Sequence, residues 1–227
     1  MTGSQITHNI ESISQEISPT VELIAVTKQV SIESMRIAYK AGIRNFAENR
    51  LQEALAKQQQ LSDLSDVTWH FIGHIQKNKA KKVLESFEWI HSVDSLSLAQ
   101  RLNRLARELR LRPKILLQVK MLPDPNKYGW EVNKLMADLP VLNDCHKLNF
   151  QGLMTILPLG LSEEEALRAF QATRKLALSI AQQNYSNLKM QELSMGMSED
   201  YKLAIQADAT KIRLGRTIFG ERAKSSV

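Results

Sequence analysis

A single cysteine, Cys145, stands in this chain of 227 residues, so no internal disulfide can form. A lone thiol fits a reducing compartment. No apolar run is long enough to cross a bilayer. Residues 1–17 alternate polar and apolar character and lack the unbroken apolar core of a secretory leader. These absences lead us to expect a cytoplasmic protein that does not engage a membrane. Aromatic residues are scarce, at 6%, and none interleaves with the densest basic cluster, Lys77, Lys79, Lys81 and Lys82. A stacking surface for single-stranded nucleic acid needs that interleaving. The net charge of +6 therefore reads as solvated helix surface, and no nucleic-acid partner is expected.

What is present is an alternation of short apolar runs with longer helical stretches. Residues 21–27 (VELIAVT), 43–47, 67–72 and 88–93 read as buried strands. So do 114–120 (KILLQVK), 148–156, 191–195 and 211–214. A helix at about 5–16 precedes them. Others are expected from Ser31 to about Ala41, over 51–61, over 76–85, and from Asp94 or Ser95 to Leu109. The second half adds 131–139, a long helix opened by a capping box of Ser162 with Glu165 and running to about Gln182, and 199–207 capped by Ser198. Strands alternating with helices imply parallel pairing. Eight such units in this length favour a closed (β/α)8 TIM barrel in the α/β class, a single domain over 1–227. The first strand is not followed by G-x-G-x-x-G, which weakens a dinucleotide fold. The eighth strand leaves little room for a full helix of its own. The extra N-terminal helix is expected to cover that gap.

In such barrels the chemistry lies at the carboxyl ends of the strands. Lys28 stands at the end of the first strand, where it either reaches for water or serves as a Schiff-base amine. The loops Ser194–Ser198 and Leu214–Thr217 follow the seventh and eighth strands. Glycine, hydroxyl groups and backbone N–H groups there suit a phosphate cradle. Arg213, on the eighth strand, is either a ligand group or half of an ion pair. His70 and His74 share a face of the third strand. They lack a third ligand nearby, so core or rim histidines are expected and no metal site.

The stretches IAVTK (24–28), NFAENRLQEA (45–54), WHFIGHIQKNK (69–79) and IHSVDS (90–95) occur in this order. GLMTI (152–156), ELSMGMSEDYKLAI (192–205) and IRLGRTIFGER (212–222) follow. The series resembles the YggS/PROSC family of pyridoxal-phosphate homeostasis proteins, the cyanobacterial PipY type above all, over nearly the whole chain. The resemblance implies a barrel like the N-terminal domain of alanine racemase, with pyridoxal 5′-phosphate as cofactor. It implies that Lys28 carries the cofactor as a Schiff base and that Asn49 lines it. By the same resemblance Ser194, Gly215 and Thr217 take the phosphate, and Arg213 faces the pyridine nitrogen. Ala47 and Arg50 replace the commoner glycine and tyrosine around Glu48 and Asn49.

An arginine at the pyridine nitrogen disfavours the protonated ring and weakens the cofactor as an electron sink. The related racemase draws a second acid/base residue from another domain and subunit, and this chain ends at Val227 with no such domain. The leading expectation is therefore a non-enzymatic, mostly monomeric carrier that buffers or delivers the cofactor and bears on amino-acid and keto-acid balance. Apo forms of pyridoxal enzymes would be transient partners. The alternative is a weak racemase-like enzyme acting on small amino acids. A barrel aldolase and a nucleic-acid module rank behind both.

Overall fold

The computed structural model describes residues 1–221. Arg222, the last residue of the IRLGRTIFGER stretch, and the final part of the expected 1–227 domain lie outside the described residues. Eight parallel strands form the barrel wall: β1 (Glu22–Val26), β2 (Asn45–Glu48), β3 (Thr68–Phe71), β4 (Trp89–Val93), β5 (Lys114–Lys120), β7 (Asn149–Met154), β8 (Leu188–Ser194) and β9 (Lys211–Leu214). Their order is β4-β3-β2-β1-β9-β8-β7-β5, and pairing of β4 with β5 closes the ring. The (β/α)8 expectation is met. A two-residue strand, β6 (Trp130–Glu131), pairs with the end of β5 and was not anticipated. The helices are α1 (Gly3–Glu16), α2 (Ile32–Lys40), α3 (Leu51–Gln60), α4 (Ala80–Ser86), α5 (Leu96–Leu109), α6 (Val132–Asn143), α7 (Glu163–Ala181), α8 (Tyr201–Gln206) and α9 (Arg216–Phe219).

Caps explain several of these boundaries. Ser31 accepts from the Ser34 N–H at the head of α2, and Ser162 with Glu165 completes the capping box of α7. Three starts differ from expectation. The basic segment opens with a 3-10 turn, Lys77–Lys79, before α4 begins. Ser95 occupies the cap of α5 without a side-chain hydrogen bond. Asp200, not Ser198, stands at the cap of α8, because the Asp200 carboxylate folds back to accept the Met197 N–H at 2.6 Å. That turn frees Ser198 for another contact.

The expected role of α1 holds. Helix α9 is a single turn, and α1 packs beside it and against α2, burying Ile6, Ile10 and Ile13. Asn9 Nδ2 donates to the Ile218 carbonyl at 3.1 Å, fastening α1 beside the short α9, after which the described residues form no further helix.

Strand β8 starts earlier than the sequence suggests. The register with β7 steps from Phe150↔Leu188 to Gly152↔Glu192, and Met190 takes φ 52° in the intervening bulge. The wall is closest at Gly152, where a Cβ would stand 1.8 Å from the Glu192 carbonyl oxygen. Backbone atoms cannot swing aside as a side chain can. Gly152→Ala should therefore cost stability at or above the upper end of the usual overpacking range, about 3 kcal/mol, and urea denaturation measures it.

The lumen is closed at the amino ends of the strands. Lys211 Nζ donates to Glu22, lies 3.3 Å from Glu192, and sits 4.4 Å from the centre of the Trp89 ring. Above this plug, Leu116 and Met154 pack with Trp89, and Ile24, Val26 and Ala47 form a second apolar group.

Candidate functional site

A cavity of about 790 Å³ opens at the carboxyl ends of the strands, lined among others by Lys28, Asn49, His74, Ser198, Arg213 and Gly215. A volume of this size suits a small-molecule ligand. Lys28 lies two residues beyond β1 and is half-buried. Its neighbours are fixed from below. The buried Thr27 hydroxyl donates to Glu48 Oε1 at 2.7 Å. Lys57 Nζ donates to the Thr27 carbonyl at 2.6 Å, to Glu48 Oε1 at 2.8 Å and to Glu53 Oε1 at 2.6 Å. Glu53 in turn accepts the backbone N–H of Gln29, a residue held at φ 61°. One buried cation between two carboxylates thus fixes the residues on either side of Lys28.

The electrostatics follow from burial. Desolvation pushes the Glu48 carboxyl above the ordinary range, and the Lys57 and Thr27 hydrogen bonds only partly oppose it. At Glu53 burial also pushes upward, but Lys57 and the Gln29 N–H outweigh it and the carboxyl ends below its usual value.

Arg213 is 3% exposed. Its guanidinium donates to the Ser194 Oγ at 2.7 Å and to the Thr155 carbonyl at 2.9 Å. Burial pushes it down to about 10, with the Asp200 carboxylate opposing, so it stays cationic at neutral pH. Ser194 is fully buried at the end of β8, and His91 Nδ1 lies 2.9 Å from its Oγ. Ser194 therefore meets the cavity through Arg213, whereas the neighbouring Ser198 lines it directly. Ser198 Oγ accepts the Thr217 backbone N–H at 3.3 Å, joining the loop after β8 to the turn after β9. Gly196 allows that loop to close: it takes φ 90°, and a Cβ there would meet the Ala204 methyl at 2.6 Å.

The two histidines of β3 separate. His70 is buried in the lumen and hydrogen-bonds His91, while His74 lies past the strand end. His74 Nδ1 is 3.0 Å from Asp94 Oδ2, and its ring stacks on Tyr128 with centroids 3.7 Å apart. The expectation of core or rim histidines is met, His70 lying in the core and His74 at the rim. Among the described residues, no group of three or more His, Cys, Asp or Glu side chains is arranged to hold a metal ion. Among the same residues, no helix is long and apolar enough to cross a membrane. Ala47 packs against Ile24 and Val26, and Arg50 is exposed at the head of α3, where its charge helps to lower Glu53.

Sequence reasoning missed Lys57 and Glu53, which sit in a polar run and read as solvent-facing. It also missed the link from His91 to Ser194, whose residues are 103 positions apart.

Two buried side-chain polar atoms among the described residues lack a hydrogen-bond partner, Glu48 Oε2 and Asn49 Oδ1. Asn49 lines the cavity beside Lys28. An unsatisfied buried polar atom is costly, and a polar ligand at this position would relieve it. With Lys28, Arg213, Arg216 and Lys127 around the same opening, the residues fit an anionic ligand that also presents hydrogen-bonding groups.

The chain is thus a closed parallel barrel with a lysine at its rim, two residues beyond the first strand. Residues 2–223 match the family described as "Alanine racemase, N-terminal domain", and the chain belongs to that family. More particularly, it is 52% identical over 206 residues to the pyridoxal phosphate homeostasis protein of Synechocystis sp., covering 91% of this chain and 94% of that one. It is 42% identical over 205 residues to the protein of the same description from Pseudomonas aeruginosa, covering 89% and 85%. The structure of PipY from Synechococcus elongatus with PLP bound superposes with a TM-score of 0.91 at 48% identity, covering 95% of this chain and all of that one. An alanine racemase from Clostridium difficile shares the fold, with a TM-score of 0.76 at 14% identity. This chain spans 58% of that enzyme.

Proposed function

We propose that this protein is a carrier of pyridoxal 5′-phosphate, holding it on Lys28 at the barrel mouth and serving its buffering or delivery within the cell. The observation that carries the reading is the pairing, in one cavity, of a clamped rim lysine with a buried cationic arginine and an unpartnered Asn49 amide oxygen. The relatives described as pyridoxal phosphate homeostasis proteins, and PipY with PLP bound, support the same reading. In this reading the Lys28 amine adds to the aldehyde carbon, one water leaves, and a Schiff base remains. Ser198, Gly215 and Thr217 surround the phosphate with hydroxyl and N–H donors, and Arg213 donates to the pyridine nitrogen. Ser194 acts behind Arg213 and not on the phosphate. The cofactor, when bound, supplies an electron sink. Arg213 keeps that sink weak by favouring the unprotonated ring, which suits storage over turnover. Apo-enzymes that require the cofactor are the proposed recipients, with the carrier itself a cytoplasmic monomer.

A specific observation keeps a racemase-like reading open: His74, hydrogen-bonded to Asp94, lines the cavity that contains Lys28. One set of measurements separates the readings. Wild-type protein mixed with pyridoxal phosphate should gain a visible absorbance band, and borohydride should leave a pyridoxyl mark on Lys28 by mass spectrometry. Lys28→Ala should lose both. A mark on a different lysine overturns the site. Racemisation of single amino-acid enantiomers that disappears in Lys28→Ala and His74→Ala overturns the carrier reading in favour of catalysis.

A further inference from the structure

We infer that His70 and His91 are positioning residues for Arg213, acting through a one-way chain of hydrogen bonds that makes the Ser194 hydroxyl an acceptor for the guanidinium. The inference rests on the assignment of Arg213 to the cofactor ring.

The chain can be followed atom by atom. Arg213 can only donate, so Ser194 Oγ accepts at 2.7 Å. The Ser194 hydrogen is then available to one near partner, His91 Nδ1 at 2.9 Å. Asn45 Oδ1 lies 3.0 Å from His70 Nε2 and can only accept. His70 Nε2 must therefore carry a proton. The last link, His70 Nδ1 to His91 Nε2 at 3.0 Å, needs one donor and one acceptor. With both rings neutral, a single assignment satisfies every link: Nε2–H and bare Nδ1 on both histidines. Neither ring is exposed, and Arg213, Lys211 and Lys114 face the pair from β9 and β5, while Glu22 and Glu192 are engaged by Lys211. A further positive charge among these cations is disfavoured, which keeps both rings neutral.

The path also has direction in space. Asn45 begins β2 and Arg213 lines the cavity, so the chain climbs from the lower barrel to the mouth. The step from His91 to Ser194 joins β4 to β8, strands that are not neighbours, and therefore crosses the lumen. If the Ser194 side chain left His91 for another rotamer, its Oγ would move away from Arg213 as well, and the guanidinium would be held by the Thr155 carbonyl alone. A guanidinium on one support can rotate. One on two supports has a fixed plane, and its remaining N–H groups have a fixed aim.

Two measurements test this. Long-range 1H–15N spectra of the cofactor-free protein at pH 7 should show His70 and His91 neutral and protonated on Nε2. A ring protonated on Nδ1, or a cationic ring, overturns the chain. In the loaded protein, Ser194→Ala and His91→Leu should each weaken pyridoxal phosphate binding about tenfold, the effect of losing one hydrogen bond to a charged group. Ser194→Ala should also shift the pH profile of the bound absorbance, and Ser194→Thr, which keeps the hydroxyl, should restore it. Ser194→Ala removes a single oxygen and serves if His91→Leu does not fold. Wild-type affinity and an unshifted profile in Ser194→Ala overturn the positioning role. A wild-type protein that fails to label at Lys28 overturns the cofactor reading instead, while the tautomer result stands on its own.

Discussion

Lowering the pH from 7 to 5 should remove about 2 kcal/mol of folding stability through His70, and His91 should add to the loss in the same direction. Burial holds His70 down to about 3, with Lys211 and Lys114 adding to the effect. Burial holds His91 well below the ordinary imidazole range, aided by His70, Arg213 and Lys211. In the unfolded chain both rings titrate near 6.5. Below that value the unfolded state binds protons that the folded state refuses, so stability falls as pH falls, by up to about 1.4 kcal/mol per pH unit for His70, with His91 acting in the same sense. Above about pH 7 neither state binds the proton and the contribution is flat. Carboxylates held low by partners, such as Glu53 and Asp63, lose their contribution only as pH falls through the carboxyl range, below this window. Glu48 and Asp200, raised by burial, act in the opposite sense because the folded state takes up their protons more readily. Set against the 5–15 kcal/mol typical of a domain, the loss is large. Urea melts at pH 7, 6 and 5 should show a falling midpoint at constant slope, and a flat profile would sink the prediction.

Lys57→Met should cost about 3–5 kcal/mol, because it removes one partner of a buried charge pair. The ammonium is 8% exposed and contacts Glu48, which is wholly buried. Removing it leaves two carboxylates and the Thr27 carbonyl without their shared donor. Protonation of Glu48 limits the loss at low pH, so the defect should deepen as pH rises from 5 to 8. A double variant, Lys57→Met with Glu48→Gln, should recover part of it, as expected of two residues in contact. The same change should slow borohydride labelling of Lys28, since the residues on both sides of it lose their hold. Equal labelling in wild type and Lys57→Met would show that the clamp serves stability only.

The barrel was legible because its strands are written in short β-branched, apolar runs between helical stretches, as in VELIAVT and KILLQVK. The places of Lys28, Arg213 and the two glycine loops at the barrel mouth were legible because they follow or end strands, and strand ends form the mouth of this architecture. Other features depend on contacts the local sequence does not encode. Lys57 sits among glutamines and reads as a solvated helix position, yet Glu48, nine residues earlier, buries it. Ser198 followed by acidic residues has the pattern of a cap, but the Asp200 carboxylate takes the turn first and Ser198 reaches Thr217. The bulge at Met190 turns on one positive φ at a residue whose type gives no warning of it. The place of Ser194 at a strand end was legible, but not its burial between His91 and Arg213, because His91 lies across the lumen.

The plug of Lys211, Glu22, Glu192 and Trp89 has a kinetic meaning. With the floor sealed, the barrel is a cup rather than a tube, so arrival and departure share one doorway. A molecule seated deep against Arg213 leaves only after anything shallower has gone, which gives exchange a compulsory order. A molecule that enters or leaves the cavity has to pass the rim at the carboxyl ends of the strands, where Lys28, Asn49, His74, Ser198 and Gly215 stand.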